Sequence, residues 1–211
     1  MRKIPFSFVF AVIGALVTLI HASPIQDVVE QAEPVARWTF DHSGSFNPPG
    51  QGAELGEGPR SPEFPDFDDR NMALRFESPG RIEVSDSPEL RFDNGDEITI
   101  EAWVNPATSF SSQGYIIGKG RTSNSGFATT NQNWGFRLRQ TGAGACVNFL
   151  FRSRKNGDHP GDWHRWTSTR GFAVGSGWHH VAMSYKFGDP NSIKGFIDGN
   201  EVKGIWDMGG A

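Results

Sequence analysis

Residues 98–106 (ITIEAWVNP) decide the fold of this chain, together with residues 177–185 (GWHHVAMSY). In both stretches apolar and polar residues alternate, which is the period of a strand that buries one face. Residues 196–202 (FIDGNEV) follow the second stretch. Their Asp-Gly-Asn sequence is typical of a tight hairpin, because glycine readily adopts the positive φ that such turns need. The sequence therefore predicts antiparallel strands joined by short turns.

These three stretches, in this order, resemble the laminin G-like group of the concanavalin A-like lectin/glucanase superfamily, and the likeness extends over residues 72–202. The resemblance implies an all-β fold, an antiparallel jelly-roll β-sandwich of the concanavalin A type. Members of the group usually continue past the Asp-Gly hairpin into further strands. The resemblance therefore implies a laminin G-like domain at residues 35–211 that is incomplete at its C-terminus.

The composition agrees with one domain of this kind. The chain has 211 residues, of which 26 are glycine, 13 are proline and 12% are aromatic. Such a composition suits many short strands joined by turns, and single sandwiches commonly reach ~200 residues. The formal net charge is −4, which argues against a general attraction to nucleic acid. We therefore expect no nucleic-acid partner.

The N-terminus has the three-part pattern of a secretory signal peptide. Two basic residues, Arg2 and Lys3, precede an uncharged apolar run over residues 4–20. We assign residues 1–22 to a signal peptide and residues 23–34 to a short polar tether. The protein is then expected to be bacterial and exported, in the periplasm, on the cell surface or outside the cell. An uncleaved signal-anchor is the alternative, and after cleavage no stable membrane span is expected.

Local patterns predict the remaining elements. Residues 37–40 (RWTF) are predicted to form a first strand, and residues 41–69 a long surface loop rich in glycine, proline and acidic residues. Residues 73–76 and 81–84 are predicted to pair as a hairpin around a Ser-Pro-Gly turn. Further strands are predicted at residues 98–104, 115–119, 135–140, 146–154, 162–169 and 178–187.

Basic residues gather on two of these strands. If the apolar residues at alternate positions face the core, then Arg137 and Arg139 point outward from one strand, and Arg152 and Arg154 from the next. Pairing of the two strands across residues 141–145 would bring all four arginines to one face.

A face of this kind suits an acidic ligand. Guanidinium groups match the oxygens of sulfates and carboxylates, and indole rings stack on sugars. An ordinary solvated sheet face, balanced by acids on neighbouring strands, is the alternative. The predicted ligand-binding residues are Arg137, Arg139, Arg152, Arg154, Trp163 and Trp166.

The resemblance implies recognition without catalysis, most directly of a carbohydrate such as an anionic glycan. The partner would then be a polysaccharide or glycoconjugate. An alternative is adhesion to another extracellular protein. A second alternative is glycoside hydrolysis by Glu97 and Glu101, because glucanases of the superfamily carry a Glu-x-Asp-x-Glu strand. Here Thr99 takes the central position, so no catalytic residue is assigned and an enzyme is not expected.

No cofactor is assigned with certainty. His179 and His180 are adjacent on a strand and point to opposite faces, so they cannot chelate one ion without a bulge. One ring is expected to be packed and the other hydrogen-bonded to a loop. Calcium prefers carboxylate and carbonyl oxygens on loops, although a plain solvated turn explains the same residues. The calcium candidates are Asp93, Asp96, Asp158 and Asp162.

Cys146 is the single cysteine of the chain. It can form neither an internal disulfide nor a cysteine zinc site. We expect it to be a small buried hydrophobe rather than a reactive thiol.

Overall fold

A computed structural model describes residues 24–40, 52–77, 80–110, 112–120, 132–153 and 162–210. The chain divides into two compact units. The smaller unit contains the helix α1, Pro24–Gln31, and most of the two-stranded sheet formed by β1, Ala53–Glu57, and β2, Met72–Phe76. None of the helices in the described ranges is long and apolar enough to cross a membrane.

The larger unit contains two antiparallel sheets. The four-stranded sheet has the order β10-β9-β8-β3, and the five-stranded sheet has the order β11-β7-β6-β5-β4. This confirms the predicted all-β antiparallel β-sandwich. The strands are β3 Glu97–Val104, β4 Gln113–Gly120, β5 Gln132–Thr141, β6 Gly144–Arg152, β7 Trp163–Phe172, β8 His179–Lys186, β9 Lys194–Ile197, β10 Asn200–Val202 and β11 Gly204–Met208.

Aromatic side chains fill the space between these two sheets. The rings of Phe149 and Phe151 on β6 contact Tyr185 on β8, with ring centroids 5.9 and 5.5 Å from it. Such contacts contribute about 0.5–1.5 kcal/mol each beyond the area they bury. The core also contains Ile98, Trp134, Phe136, Leu138, Ala145, Val147, Trp166, Phe172, Val181, Met183 and Val202.

The predicted central strands are confirmed with small changes of boundary. β5 and β6 pair across a two-residue turn, since Thr141 lies opposite Gly144. β9 and β10 pair across Asp198 and Gly199, with φ angles of 50° and 74°. Two consecutive positive φ angles are those of the type I′ turn that suits hairpin twist.

Predictions for the N-terminal half were wrong in three places. Residues 37–40 and 81–84 form no strand, so the hairpin predicted around Ser-Pro-Gly does not exist. Its first arm is β2, which pairs instead with β1, a strand inside the predicted loop at 41–69. Within residues 23–34, whose assignment as a tether stays a prediction, α1 forms at Pro24–Gln31. The predicted signal peptide at 1–22 lies outside the described residues.

A strand that the sequence analysis did not predict follows the last hairpin. Only Lys203 separates β10 in the four-stranded sheet from β11 in the five-stranded sheet. β11 pairs with β7, and Trp206 lies opposite Trp166. The Nε1–H of Trp206 donates to the carbonyl of Pro190 at 3.0 Å. The chain thus crosses between the sheets at this point.

Two glycines, Gly204 at the crossing and Gly195 on β9, lie against the buried ring of Trp166. A Cβ atom at Gly204 would lie 2.1 Å from Cζ2 of Trp166, and one at Gly195 would lie 2.6 Å from Cη2. Both distances are far below van der Waals contact. Glycine is therefore required here by packing rather than by backbone angle.

We predict that Gly204→Ala lowers the free energy of unfolding by about 1–3 kcal/mol, the usual penalty of overpacking a core. Gly142→Ala is the matched control, because a Cβ in that turn meets nothing within 4 Å. Urea denaturation of both variants measures the difference. Equal stability of the two would contradict the packing argument.

Candidate binding site

The outer face of the five-stranded sheet carries a group of arginines, here called the arginine face. It consists of Arg137 and Arg139 on β5, Arg152 on β6 and Arg165 on β7. Their apolar neighbours in sequence point to the other side of the sheet, into the core. Arg137, Arg139 and Arg152 therefore point outward, as predicted.

Arg137 lies at the centre of the face and is buried, with 4% of its surface exposed. Its Nε donates to Oδ1 of Asn148 at 2.6 Å, and its Nη1 donates to Oε1 of Gln113 at 3.0 Å. Its guanidinium also stacks over the ring of Tyr115, 5.4 Å from the centroid. Burial lowers the pKa of Arg137 from its ordinary value, and the nearby charges of Arg165 and Arg139 act in the same direction.

Asp207 joins two of the arginines. Its Oδ1 accepts a hydrogen bond from Nε of Arg165 at 2.6 Å, and its Oδ2 accepts one from Nη1 of Arg139. Oδ2 also accepts from the hydroxyl of Thr167 at 3.3 Å. Burial alone would raise the pKa of Asp207. The hydrogen bonds and charges of Arg165 and then Arg139 outweigh burial, so the pKa lies below its ordinary value.

A β-bulge places Asp207 between Arg139 and Arg165. Trp206 lies opposite Trp166 and Met208 lies opposite Arg165, so Asp207 is the extra residue between them. A bulge redirects a side chain without extending the register. The carboxylate of an edge strand thereby reaches Arg139 on β5, although β7 and β6 lie between the two strands.

The two tryptophans predicted for this surface differ in position. Trp163 lies at the edge of the face, half-buried, with Arg152 over its ring at 5.4 Å from the centroid. Trp166 is on the opposite side of β7 and belongs to the core, with 3% of its surface exposed. Trp166 is therefore not part of the arginine face. Arg154 lies outside the described residues.

The sequence analysis did not include Arg165 and Asp207 in the site. Arg165 lies two residues after Trp163, so both side chains point to the same side of the strand. Alternation alone could therefore have placed Arg165 on the face. Asp207 has no such signal, because it is 68 residues from Arg139 and reaches it only through the β7–β11 pairing and the bulge.

The acid pair Glu97 and Glu101 lies on β3, on the outer side of the other sheet. Glu97 is 3.5 Å from Nζ of Lys186, and Glu101 is 3.5 Å from Nε2 of His180. Hydrogen bonding to His180 lowers the pKa of Glu101, more than burial raises it. A general acid needs the opposite shift, to a raised pKa.

His179 connects two loops. Its ring stacks on Phe172, with centroids 4.0 Å apart. Its Nε2 is 2.8 Å from the hydroxyl of Ser176, and its Nδ1 is 2.8 Å from Oδ2 of Asp198. The hydroxyl of Ser176 also donates to the carbonyl of Ala173. This single histidine fills both structural roles expected of the pair, and it pins the β9–β10 turn to the loop before β8.

His180 points to the other face, as alternation requires. It lies beside Trp103, with ring centroids 5.5 Å apart, and beside Glu101. The two histidines therefore do not converge on one ion.

The calcium candidates that the structure describes are Asp93, Asp96 and Asp162. Asp96 uses Oδ2 to accept the backbone N–H of Asp93 at 2.7 Å, as in an ordinary polar turn. The backbone N–H of Asp162 donates to the hydroxyl of Ser153 at 2.7 Å, and its carbonyl accepts the N–H of Ser153; Asp158 is outside the described residues. Within the described ranges no three His, Cys, Asp or Glu side chains converge on a common point. No step is assigned to calcium.

Cys146 is fully buried, as predicted. Its Sγ lies 3.2 Å from the hydroxyl of Thr141 at the end of the β5–β6 hairpin.

We predict that Asp207→Asn lowers the free energy of unfolding by about 2 kcal/mol at neutral pH, the usual scale for hydrogen bonds to a charged group. Because the pKa of Asp207 is lower in the folded state, its contribution is complete above the ordinary aspartate pKa of about 3.9 and is lost as the pH falls through the folded value. The difference from wild type should therefore shrink below about pH 4. Urea denaturation at pH 7, 5 and 3 measures it, and a difference independent of pH would refute the assigned ion pair.

Comparisons with known proteins agree with this architecture. The family model described as the concanavalin A-like lectin/glucanases superfamily, of the Laminin G 3 type, matches residues 79–210, more than half of the chain. Neither the curated proteins nor the solved structures gave a match. The superfamily includes lectins and glucanases, so membership leaves both binding and hydrolysis open. The chain belongs to this laminin G-type family of the concanavalin A-like superfamily.

Proposed function

We propose that this domain is a non-catalytic module that binds an anionic glycan on the arginine face. One observation carries the proposal. The guanidinium groups of Arg137, Arg139 and Arg165 share one face, and Asp207 is the single carboxylate bonded to any of them within the described residues. Among the described residues, these three arginines therefore carry more positive charge than Asp207 neutralises, on a chain whose formal net charge is −4.

The chemistry of the face suits sugars that carry acidic groups. Arginine binds carboxylate and sulfate oxygens through two parallel N–H donors, with more geometric specificity than lysine. Trp163 adds an indole at the edge of the face, where a sugar ring can stack beside Arg152. A charged patch with an aromatic platform supports recognition of an anionic glycan better than of a neutral one.

Export is part of the proposal. It rests on the basic and apolar pattern of residues 1–22. A polysaccharide or glycoconjugate outside the cytoplasm would then be the partner. Adhesion to an extracellular protein and hydrolysis by Glu97 and Glu101 remain the competing functions that the following experiment separates.

We predict that the wild-type domain binds acidic oligosaccharides and that binding weakens from 50 to 200 mM salt, because exposed charges are screened. Arg165→Gln should weaken binding about tenfold, as expected for one charge-assisted hydrogen bond to a ligand. Arg170→Gln is the matched control, because Arg170 is an exposed arginine on the same strand that lines a cavity with Asn200 and Glu201 of the other sheet. Calorimetry with oligogalacturonate, a sulfated carrageenan oligosaccharide and a neutral cello-oligosaccharide measures the effect.

Four outcomes would overturn the proposal. Equal loss in both arginine variants would show a general charge effect. Binding of the neutral oligosaccharide alone would remove the role of the arginines. Release of reducing ends that Glu101→Gln abolishes would show a hydrolase. Folded wild-type protein that binds none of the three probes would favour a protein contact instead.

A further inference from the structure

The donors around Asp207 form a site shaped for a carboxylate. Nε of Arg165 and Nη1 of Arg139 converge on its two oxygens from β7 and β5, and the Thr167 hydroxyl donates between them. Thr167 is itself held by Nδ2 of Asn148 at 2.8 Å. We call these donors (Arg139, Arg165 and Thr167) the carboxylate cradle. The group that occupies it is a side chain of the protein.

The backbone leaves Asp207 able to move. As the extra residue of the bulge it has no partner in the register, and β11 is the edge strand of its sheet. Its side chain is 19% exposed. Rotation of this side chain toward solvent would break three hydrogen bonds to the cradle but would leave the β7–β11 pairing intact.

A further cation beside the cradle lacks a carboxylate. The acceptors around Arg137 among the described residues are all neutral: the amide oxygens of Asn148 and Gln113 and the hydroxyl of Tyr115. Its Nη2 is buried and has no hydrogen-bond partner among the described residues. An unpaired donor and an unneutralised charge are both costly in a buried position. Among the described residues, the carboxylate of Asp207 bonds to Arg139 and Arg165 and leaves the charge of Arg137 without an anion.

Resting on the function proposed above, we propose that Asp207 is an internal stand-in for the carboxylate of a uronic acid, which displaces it from the cradle of Arg139, Arg165 and Thr167. The ligand class is then a glycan rich in uronates rather than in sulfates, because the cradle holds a planar group with two oxygens. Asp207 lowers the affinity of the empty face for anions in general. A ligand has to supply its own carboxylate in the same place.

The test compares Asp207→Asn with Asp86→Asn. Both changes remove one negative charge, but Asp86 bonds to Lys119 and Arg91 and contacts no arginine of the face. Calorimetry is run with oligogalacturonate, with its methyl ester and with the sulfated carrageenan oligosaccharide. Asp207→Asn should bind oligogalacturonate about fivefold more tightly than wild type, the equivalent of one net hydrogen bond. Asp86→Asn should match wild type, and the methyl ester should not bind.

Chemical rescue gives a second readout if Asp207→Asn is poorly folded. Galacturonate should raise the melting temperature of Asp207→Ala more than that of wild type, because it refills the cradle, whereas galactose should not. The absence of rescue would overturn the stand-in role.

The remaining outcomes separate this inference from the function on which it rests. If wild type binds oligogalacturonate through Arg165 but Asp207→Asn binds no more tightly, the stand-in role is wrong and glycan recognition stands. If Asp86→Asn tightens binding equally, the effect is one of net charge. If Asp207→Asn tightens binding of the sulfated probe as much, the preference for carboxylates is wrong. If no variant binds any acidic probe, the proposed function itself fails.

Discussion

Alternation of side chains along β5, β6 and β7 is the constraint from which the rest of this structure follows. Successive residues of a strand must point to opposite faces. Because Phe136 and Phe149 fill the space between the sheets, Arg137 and Asn148 are forced to the outer side, opposite each other in register. The same core packing that stabilises the sandwich therefore assembles the polar network. The position of the arginines needs no separate explanation.

That network is not optimised for stability. Arg137 is buried on a face where Arg139 and Arg165 are its nearest charges, and burial already disfavours its ionised form. Neutral amide acceptors satisfy two of its donors but do not neutralise it. Asp207 reduces the repulsion only between Arg139 and Arg165. Apolar residues at such positions are often equally or more stable, so the three arginines are not explained by the stability of the fold.

The fold could be predicted from the sequence wherever partners are close along the chain. The β5–β6 and β9–β10 hairpins follow from alternation and turn residues, and their register then places Arg137 beside Asn148. The same local reasoning predicted the Ser-Pro-Gly hairpin, and that prediction was wrong. β2 pairs with β1, which precedes it in the chain, and not with the residues that follow the Ser-Pro-Gly sequence.

The site was predictable only in part, for the same physical reason. Trp166 was assigned by its closeness in sequence to Trp163, although an odd separation of three residues places the two indoles on opposite faces. Asp207 could not be assigned, because its position depends on a crossing between sheets and on a one-residue bulge. Long-range strand pairing and bulges can hardly be recognised from local sequence patterns.

The location of the acids bears on whether this domain cleaves what it binds. Glu97 and Glu101 are exposed on β3, on the side away from Ile98 and the core. The arginine face is on the side of the other sheet that also points away from the core. The two groups are thus separated by the whole thickness of the sandwich, about 10 Å between sheets before side chains are added. A glycan seated on the arginines cannot reach both carboxylates, so recognition and hydrolysis would need different surfaces of this domain.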